Sequence, residues 1–216
     1  GTTTAFAVLT GLGINVHGLI SGSNKNPPNE LKIKLVNQGL KAAKLEKNAS
    51  AIHLMAAVGD PFQPIAVGLL LGARESGQEI LLGGGSQMLA VLALALHKIE
   101  SSSRSEFVEK ILIGTTAWLV EESLSSSKQR NSFIHLTNLV AKHFKINILG
   151  LASGYRFNDS NQKVLRDYEI GYIKEGVGAG ALSLLAQIKG LNQTDMIKSC
   201  DIEVANLFRS KSEKTI

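Results

Sequence analysis

Short apolar runs alternate along the chain with longer stretches in which apolar positions recur every three or four residues, the pattern of strands interleaved with helices. Residues 2–12 are compact and apolar, with threonines able to cap their start and Gly11 and Gly13 to end them, which predicts a short helix followed by a strand-like stretch at 16–20. Residues 21–29 are polar, contain Pro27 and Pro28, and read as a loop. A basic amphipathic helix is expected over 30–47, with Asn29 as N-cap and Leu31, Leu35, Leu40 and Leu45 partly on one face. Ser50 is suited to cap a helix to Val58, Gly59-Asp60-Pro61 breaks the chain, and 62–74 reads as an apolar helix packed closely on a sheet.

Three segments have strand character: 79–82, 111–113 and 146–151. Helices are expected between and after them, at 88–96, from Asn131 or Ser132 to Phe144, and over 182–188, with a further apolar-periodic segment at 196–208; the Ser-rich stretch 101–105 reads as a linker. Strands alternating with helices predict an α/β fold, a Rossmann-like, mostly parallel sheet with helices on both faces. Each strand runs into small or hydroxyl residues: Gly83-Gly84-Gly85-Ser86-Gln87, Gly114-Thr115-Thr116 and Ala152-Ser153-Gly154. In an open parallel sheet the ligand crevice lies beyond the strand C-termini, where such residues let backbone approach a ligand, although tight turns use the same residues more often.

The 216 residues suffice for one well-buried domain. A net charge of +5 brings nucleic acid to mind, but the basic residues are dispersed and aromatics make up only 5%, too few for base-stacking platforms, so small phosphorylated or carboxylated ligands fit better than nucleic acid. The one cysteine, Cys200, excludes an internal disulfide, reads as a buried structural thiol, and suits a reducing, cytoplasmic setting. The uncharged run 80–96 approaches spanning length, yet Gly83 to Gln87 interrupt it, so no membrane span is expected. His17, His53, His97, His135 and His143 are scattered, no metal-ligand spacing occurs, and neither a phosphate-loop motif, a dinucleotide fingerprint nor a serine-hydrolase elbow is present. Glu121 and Glu122, after Trp118-Leu119-Val120, superficially resemble a ribose-gripping acidic pair but lack the glycine-containing phosphate loop, and a solvated helix face suits them better.

Residues 173–181, Ile-Lys-Glu-Gly-Val-Gly-Ala-Gly-Ala, stand apart: Glu175 heads a run with Gly176, Gly178 and Gly180 at every second position, leading into a helix. Free amides at a helix start attract anions, and nothing bulky keeps a ligand from the carboxylate. A surface glutamate before a closely packed helix remains an equally good reading of the same residues.

Taken in order, Gly1-Thr2-Thr3-Thr4-Ala5, Gly59-Asp60-Pro61-Phe62, Leu81-Leu82-Gly83-Gly84-Gly85-Ser86-Gln87-Met88, Ser153 and Lys174-Glu175-Gly176-Val177-Gly178-Ala179-Gly180 resemble the nicotinate-nucleotide:dimethylbenzimidazole phosphoribosyltransferase family of cobalamin assembly, nearest its divergent archaeal and cyanobacterial branch. The resemblance covers nearly all of the chain but only the C-terminal part of that family, so residues 1–216 are expected to form a single domain lacking the family's N-terminal portion. It implies transfer of phosphoribose from nicotinate mononucleotide to a benzimidazole-type or purine base, without cofactor or metal, in a homodimer. It implies Glu175 as general base. It implies nucleotide contacts from Thr2, Thr3, Lys34, Gly83, Gly84, Gly85, Ser86, Ser153, Gly176 and Gly178. Better-known members carry Asp-Gly where this chain has Gly83-Gly84. A non-catalytic nucleotide-binding or regulatory module on the same fold is the alternative expectation, and a structural partner subunit a third.

Overall fold

The computed structural model describes residues 1–19, 28–46, 48–121, 132–170 and 177–212. Its centre is a parallel sheet of β1 (Ile80–Gly83), β2 (Ile111–Thr116) and β3 (Leu149–Ser153), in that spatial order. Ile80 pairs with Ile111 and Gly83 with Gly114, while Leu112 pairs with Leu149 and Thr116 with Ser153, so all three strands end along one rim. The three expected strands are present, with shifted ends. β2 continues through Thr116, and β3 starts at Leu149 because Ile146 is drawn into the core instead of the ladder.

Helices α1 (Thr2–Gly11), α2 (Asn29–Ala43), α3 (Ala51–Val58), α4 (Phe62–Glu75) and α5 (Ser86–Lys98) make a helical layer on one side. They are followed by α6 (Arg104–Glu109), α7 (Ala117–Glu121), α8 (Ser132–Phe144), α9 (Lys163–Arg166), α10 (Ala179–Ile188) and α11 (Gln193–Ser212). α5 is the hub: residues 89–96 are fully buried, as an all-apolar sequence demands of a helix enclosed on every side. Leu82, Ile111 and Ile113 of the sheet share its core with Val8 and Leu9 of α1, Val67 and Leu70 of α4, and Leu136 and Val140 of α8. The opposite face of the sheet carries α10. The fold is thus α/β with helices on both faces of a parallel sheet, of Rossmann-like character.

Local chemistry explains the helix ends. Ser50 Oγ accepts from His53 N at 3.3 Å and caps α3. α2 stops at Ala43, four residues short of expectation, because Lys44 turns left-handed at φ 44°. Asn29 is its first helical residue and Pro28 holds the N-cap position. The strand-like stretch 16–20 is not a strand in its described part: residues 17–19 form a turn, with Leu19 N bonded to Val16 O at 3.1 Å. Ile14 and Val16 alternate because both are buried under the helical layer. The serines at 101–103 form a 3₁₀ turn that runs into α6.

Candidate functional site

β1 leaves the sheet at Gly83, and Gly84 N still bonds to Gly114 O at 2.9 Å, so the chain stays on the ladder until Gly85 starts α5. α10 lies across the strand ends on glycine contacts. A Cβ on Gly114 would stand 2.8 Å from Ala181 Cβ, one on Gly83 would stand 3.0 Å from Gly178 O, and one on Gly180 would fall 2.3 Å from the Thr115 carbonyl carbon. Backbone cannot yield as a flexible side chain can, so Gly83, Gly114 and Gly180 are required for α10 to sit where it does. A Cβ on Gly85 would meet Leu119 of α7 at 2.8 Å and Val177 at 3.7 Å, which brings the residue just before Gly178 to the β1–α5 loop. Glu175 and Gly176 lie outside the described residues.

The start of α1 arrives at the same loop. Gly1 packs on the Gln87 side chain, where a Cβ would be 1.8 Å from Gln87 Nε2. The Thr4 hydroxyl lies 2.5 Å from Asp60 Oδ2 and 2.8 Å from the Gly1 carbonyl, within donating distance of both. Asp60 Oδ1 accepts from Phe62 N and Gln63 N, each at 3.1 Å, so one carboxylate caps α4 and ties α1 to it. Lys32 Nζ donates to Thr2 Oγ1 at 3.2 Å, and burial lowers the Lys32 pKa from its ordinary value. Segment 83–87 is therefore bordered by the starts of α1, α5 and α10. Among the described residues, none of the three helices has an acidic residue of its own in its first turn or a side-chain cap bond; Asp60 stands beside the start of α1, and the starts of α5 and α10 turn amide hydrogens and positive dipole ends toward this rim.

Among the described residues, two buried polar atoms at the end of β2 find no hydrogen-bond partner, Thr115 Oγ1 and Trp118 Nε1. Trp118 stacks on Phe157 with centroids 5.1 Å apart, and Tyr168 tilts against it at 5.4 Å. Arg156 covers the Trp118 ring at 5.9 Å and pairs with Glu121, while Glu169 Oε1 accepts from Phe157 N at 2.6 Å. Glu121 thus belongs to an ion pair that folds the segment after β3 over α7, a structural use for half of the acidic pair.

No family model matches the sequence. It is 54% identical over 201 residues to a "UPF0284 protein" of Prochlorococcus marinus (strain MIT 9313), covering 93% of this chain and 50% of that protein. It is 47% identical over 210 residues to a UPF0284 protein of Parasynechococcus marenigrum (strain WH8102) and 35% identical over 201 residues to one of Gloeobacter violaceus. The chain spans about half the length of the curated relatives it matches. Their shared name specifies no activity or ligand.

Of the residues the resemblance picks out, Thr2, Gly83, Gly84, Gly85, Ser86 and Gly178 gather at the β1 end of the rim together with Thr3, the next residue of α1. Ser153 is buried at the end of β3, in register with Thr116. Lys34 is exposed, and Lys32 is the lysine that reaches Thr2. The sequence reading placed Gln87 and Thr115 in the strand-end loops without giving either a role of its own, named Thr4 only within the opening threonine motif, and passed over Lys32. For Lys32 the signal is its position in the first turn of a basic helix; for Thr4 and Gln87 only tertiary contact shows their place. Gly178 and Gly180 carry the packing use that was one of two readings of the glycine run. Among the described residues, no group of three or more His, Cys, Asp or Glu is arranged to hold a metal ion, and no helix is long and apolar enough to cross a membrane.

Proposed function

We propose that this chain forms the nucleotide-binding core of a phosphoribosyltransferase acting on nicotinate mononucleotide and an aromatic base of benzimidazole or purine type. The observation that supports this best is the meeting of three helix starts and Lys32 around segment 83–87, an arrangement suited to a phosphate at the carboxyl rim of a parallel sheet. Thr2, Thr3 and Ser86 supply hydroxyl donors beside the amides. The acceptor ring nitrogen attacks ribose C1′ as the C1′–pyridinium bond breaks, and nicotinate leaves with a neutral ring nitrogen that needs no proton. The attacking base becomes cationic unless its second ring nitrogen loses its proton, and Glu175 is the group assigned to take it. A carboxylate near C1′ also stabilises the electron-poor ribose in the transition state. The protein works as a homodimer in this reading.

The test is incubation of the protein in its full natural length with nicotinate mononucleotide and a panel of benzimidazoles and purines, followed by chromatography for free nicotinate and the new ribotide. Release of nicotinate only with an acceptor present supports the reading. Tight nucleotide binding without release identifies a binding or regulatory module, and no nucleotide binding at all a structural subunit.

A further inference from the structure

The two edges of the sheet are not alike. On β1 every residue is buried or half-buried, whereas on β3 Leu149 is 61% exposed, Gly150 is exposed and Leu151 is 44% exposed. Parallel sheets bury both faces, and exposed strand edges are ordinarily blunted by charge, proline or a bulge. Leu149-Gly150-Leu151-Ala152-Ser153 has neither charge nor proline and pairs regularly with β2 on its inner side. The register puts Leu149 and Leu151 on the face of Leu112 and Gly114, which is the α10 face. There α10 adds a ridge of its own, with Leu182 at 70% and Ile188 at 63% exposure and Leu185 between them. At the start of β3 a cavity of about 530 Å³ opens, lined among others by Val108, Lys142, Ile148 and Leu149. An outer strand edge that is unpaired among the described residues, an apolar helix ridge beside it and a cavity at its foot ask for two things at once, a strand and a helix.

We propose that the outer edge of β3 and the adjoining α10 ridge take up a further strand–helix unit from the remainder of a longer polypeptide, of the kind that relatives twice this length contain. The incoming strand extends the sheet past β3, and its connecting helix lies beside α10 over Leu149, Leu151, Leu185 and Ile188. By the right-handed rule a connection continuing outward from β3 would return on the α5 face, as those of β1–β2 and β2–β3 do, so a helix beside α10 belongs to a connection that runs from the added strand back toward the β1 side. A second copy of this chain would offer β3 only its own five-residue edge and would leave the ridge to be covered separately. The relatives carry as much polypeptide again as the stretch that matches, ample for such a unit.

Hydrogen exchange tests the proposal without a mutation. The 216-residue chain and the full-length Prochlorococcus marinus (strain MIT 9313) relative are compared at the amides of 149–153 and their aligned counterparts, each across a range of protein concentrations. The expected result is exchange at least about tenfold slower in the full-length relative, independent of concentration, and fast exchange at the outward amides in the 216-residue chain. Equally fast exchange in both overturns the proposal. So does protection that grows with concentration, which identifies a second copy, or full protection in the 216-residue chain at low concentration. Leu151→Glu provides a second readout: it should leave the melting temperature of the 216-residue chain unchanged and lower that of the full-length relative at the matching position, and equal effects contradict the assignment.

Discussion

Lys32 and Lys34 stand two positions apart on one helix and so point about 200° away from each other. Only the packing of α1 against α2 decides which of them meets Thr2, and composition and spacing hold no record of that packing. A charge-assisted hydrogen bond contributes roughly 1.5–3 kcal/mol. Lys32→Ala should therefore weaken binding of nicotinate mononucleotide by about tenfold or more, while Lys34→Ala leaves it unchanged; calorimetric titration distinguishes the two, and equal losses would remove Lys32 from the phosphate. Asp201 is a residue whose role no motif announced. Burial raises its pKa, but bonds from the Ser160 hydroxyl at 2.5 Å and the backbone N–H groups of Asn161 and Gln162 outweigh this and hold it below the ordinary value. A depressed folded pKa means that its stabilisation is complete above the unfolded value of 3.8 and fades as pH falls through the lower folded one. Asp201→Ala should cost about 1–3 kcal/mol near neutral pH, and the gap to wild type should close in denaturation curves recorded at progressively lower pH. Cys200, next to it, is half-buried rather than buried as the sequence led one to expect, and its thiol is pushed up by burial and by the Asp201 charge, which suits an unreactive group.

At the scale of elements, the strand positions were legible because 80–83, 111–116 and 149–153 combine β-branched or leucine runs with glycine and hydroxyl stops. The stretch at 16–20 carried a similar pattern and is a turn in its described part, since alternation records burial and a loop under a helical layer is buried too. α10 shows what the glycine run does in packing. Gly180→Ala would drive a methyl group into the Thr115 backbone and should destabilise the protein by about 1–3 kcal/mol. Gly68→Ala, on the exposed side of α4 with nothing within 4 Å of the new methyl, should instead stabilise it by about 0.5–1 kcal/mol. Chemical denaturation of both variants checks the pair, and a neutral Gly180→Ala would mean that α10 sits further from β2. Two glycines of the run thus have a packing reason for being glycine, and any ligand role of Gly178 is additional to its place against Gly83.

For the whole molecule, the alternation of strands and helices was enough to predict a parallel sheet covered on both faces and a crevice at its carboxyl rim. What the pattern does not contain is the neighbour of β3: the sequence shows 146–151 as a third strand, and only the structure shows that Leu149 and Leu151 are exposed. Glu175 was legible as the odd carboxylate of a glycine run because no other acid in the chain heads such a sequence. Its neighbour Val177 comes to the β1–α5 loop, where the starts of α5 and α10 favour an anion. The central claim is that this rim binds a nucleotide and that Glu175 takes the proton of the attacking base. It is tested most directly by measuring nicotinate release from nicotinate mononucleotide by wild type and Glu175→Gln in the protein of full natural length, together with nucleotide affinity. The account predicts turnover reduced by about 10²–10⁴-fold with affinity unchanged; turnover equal to wild type would contradict it.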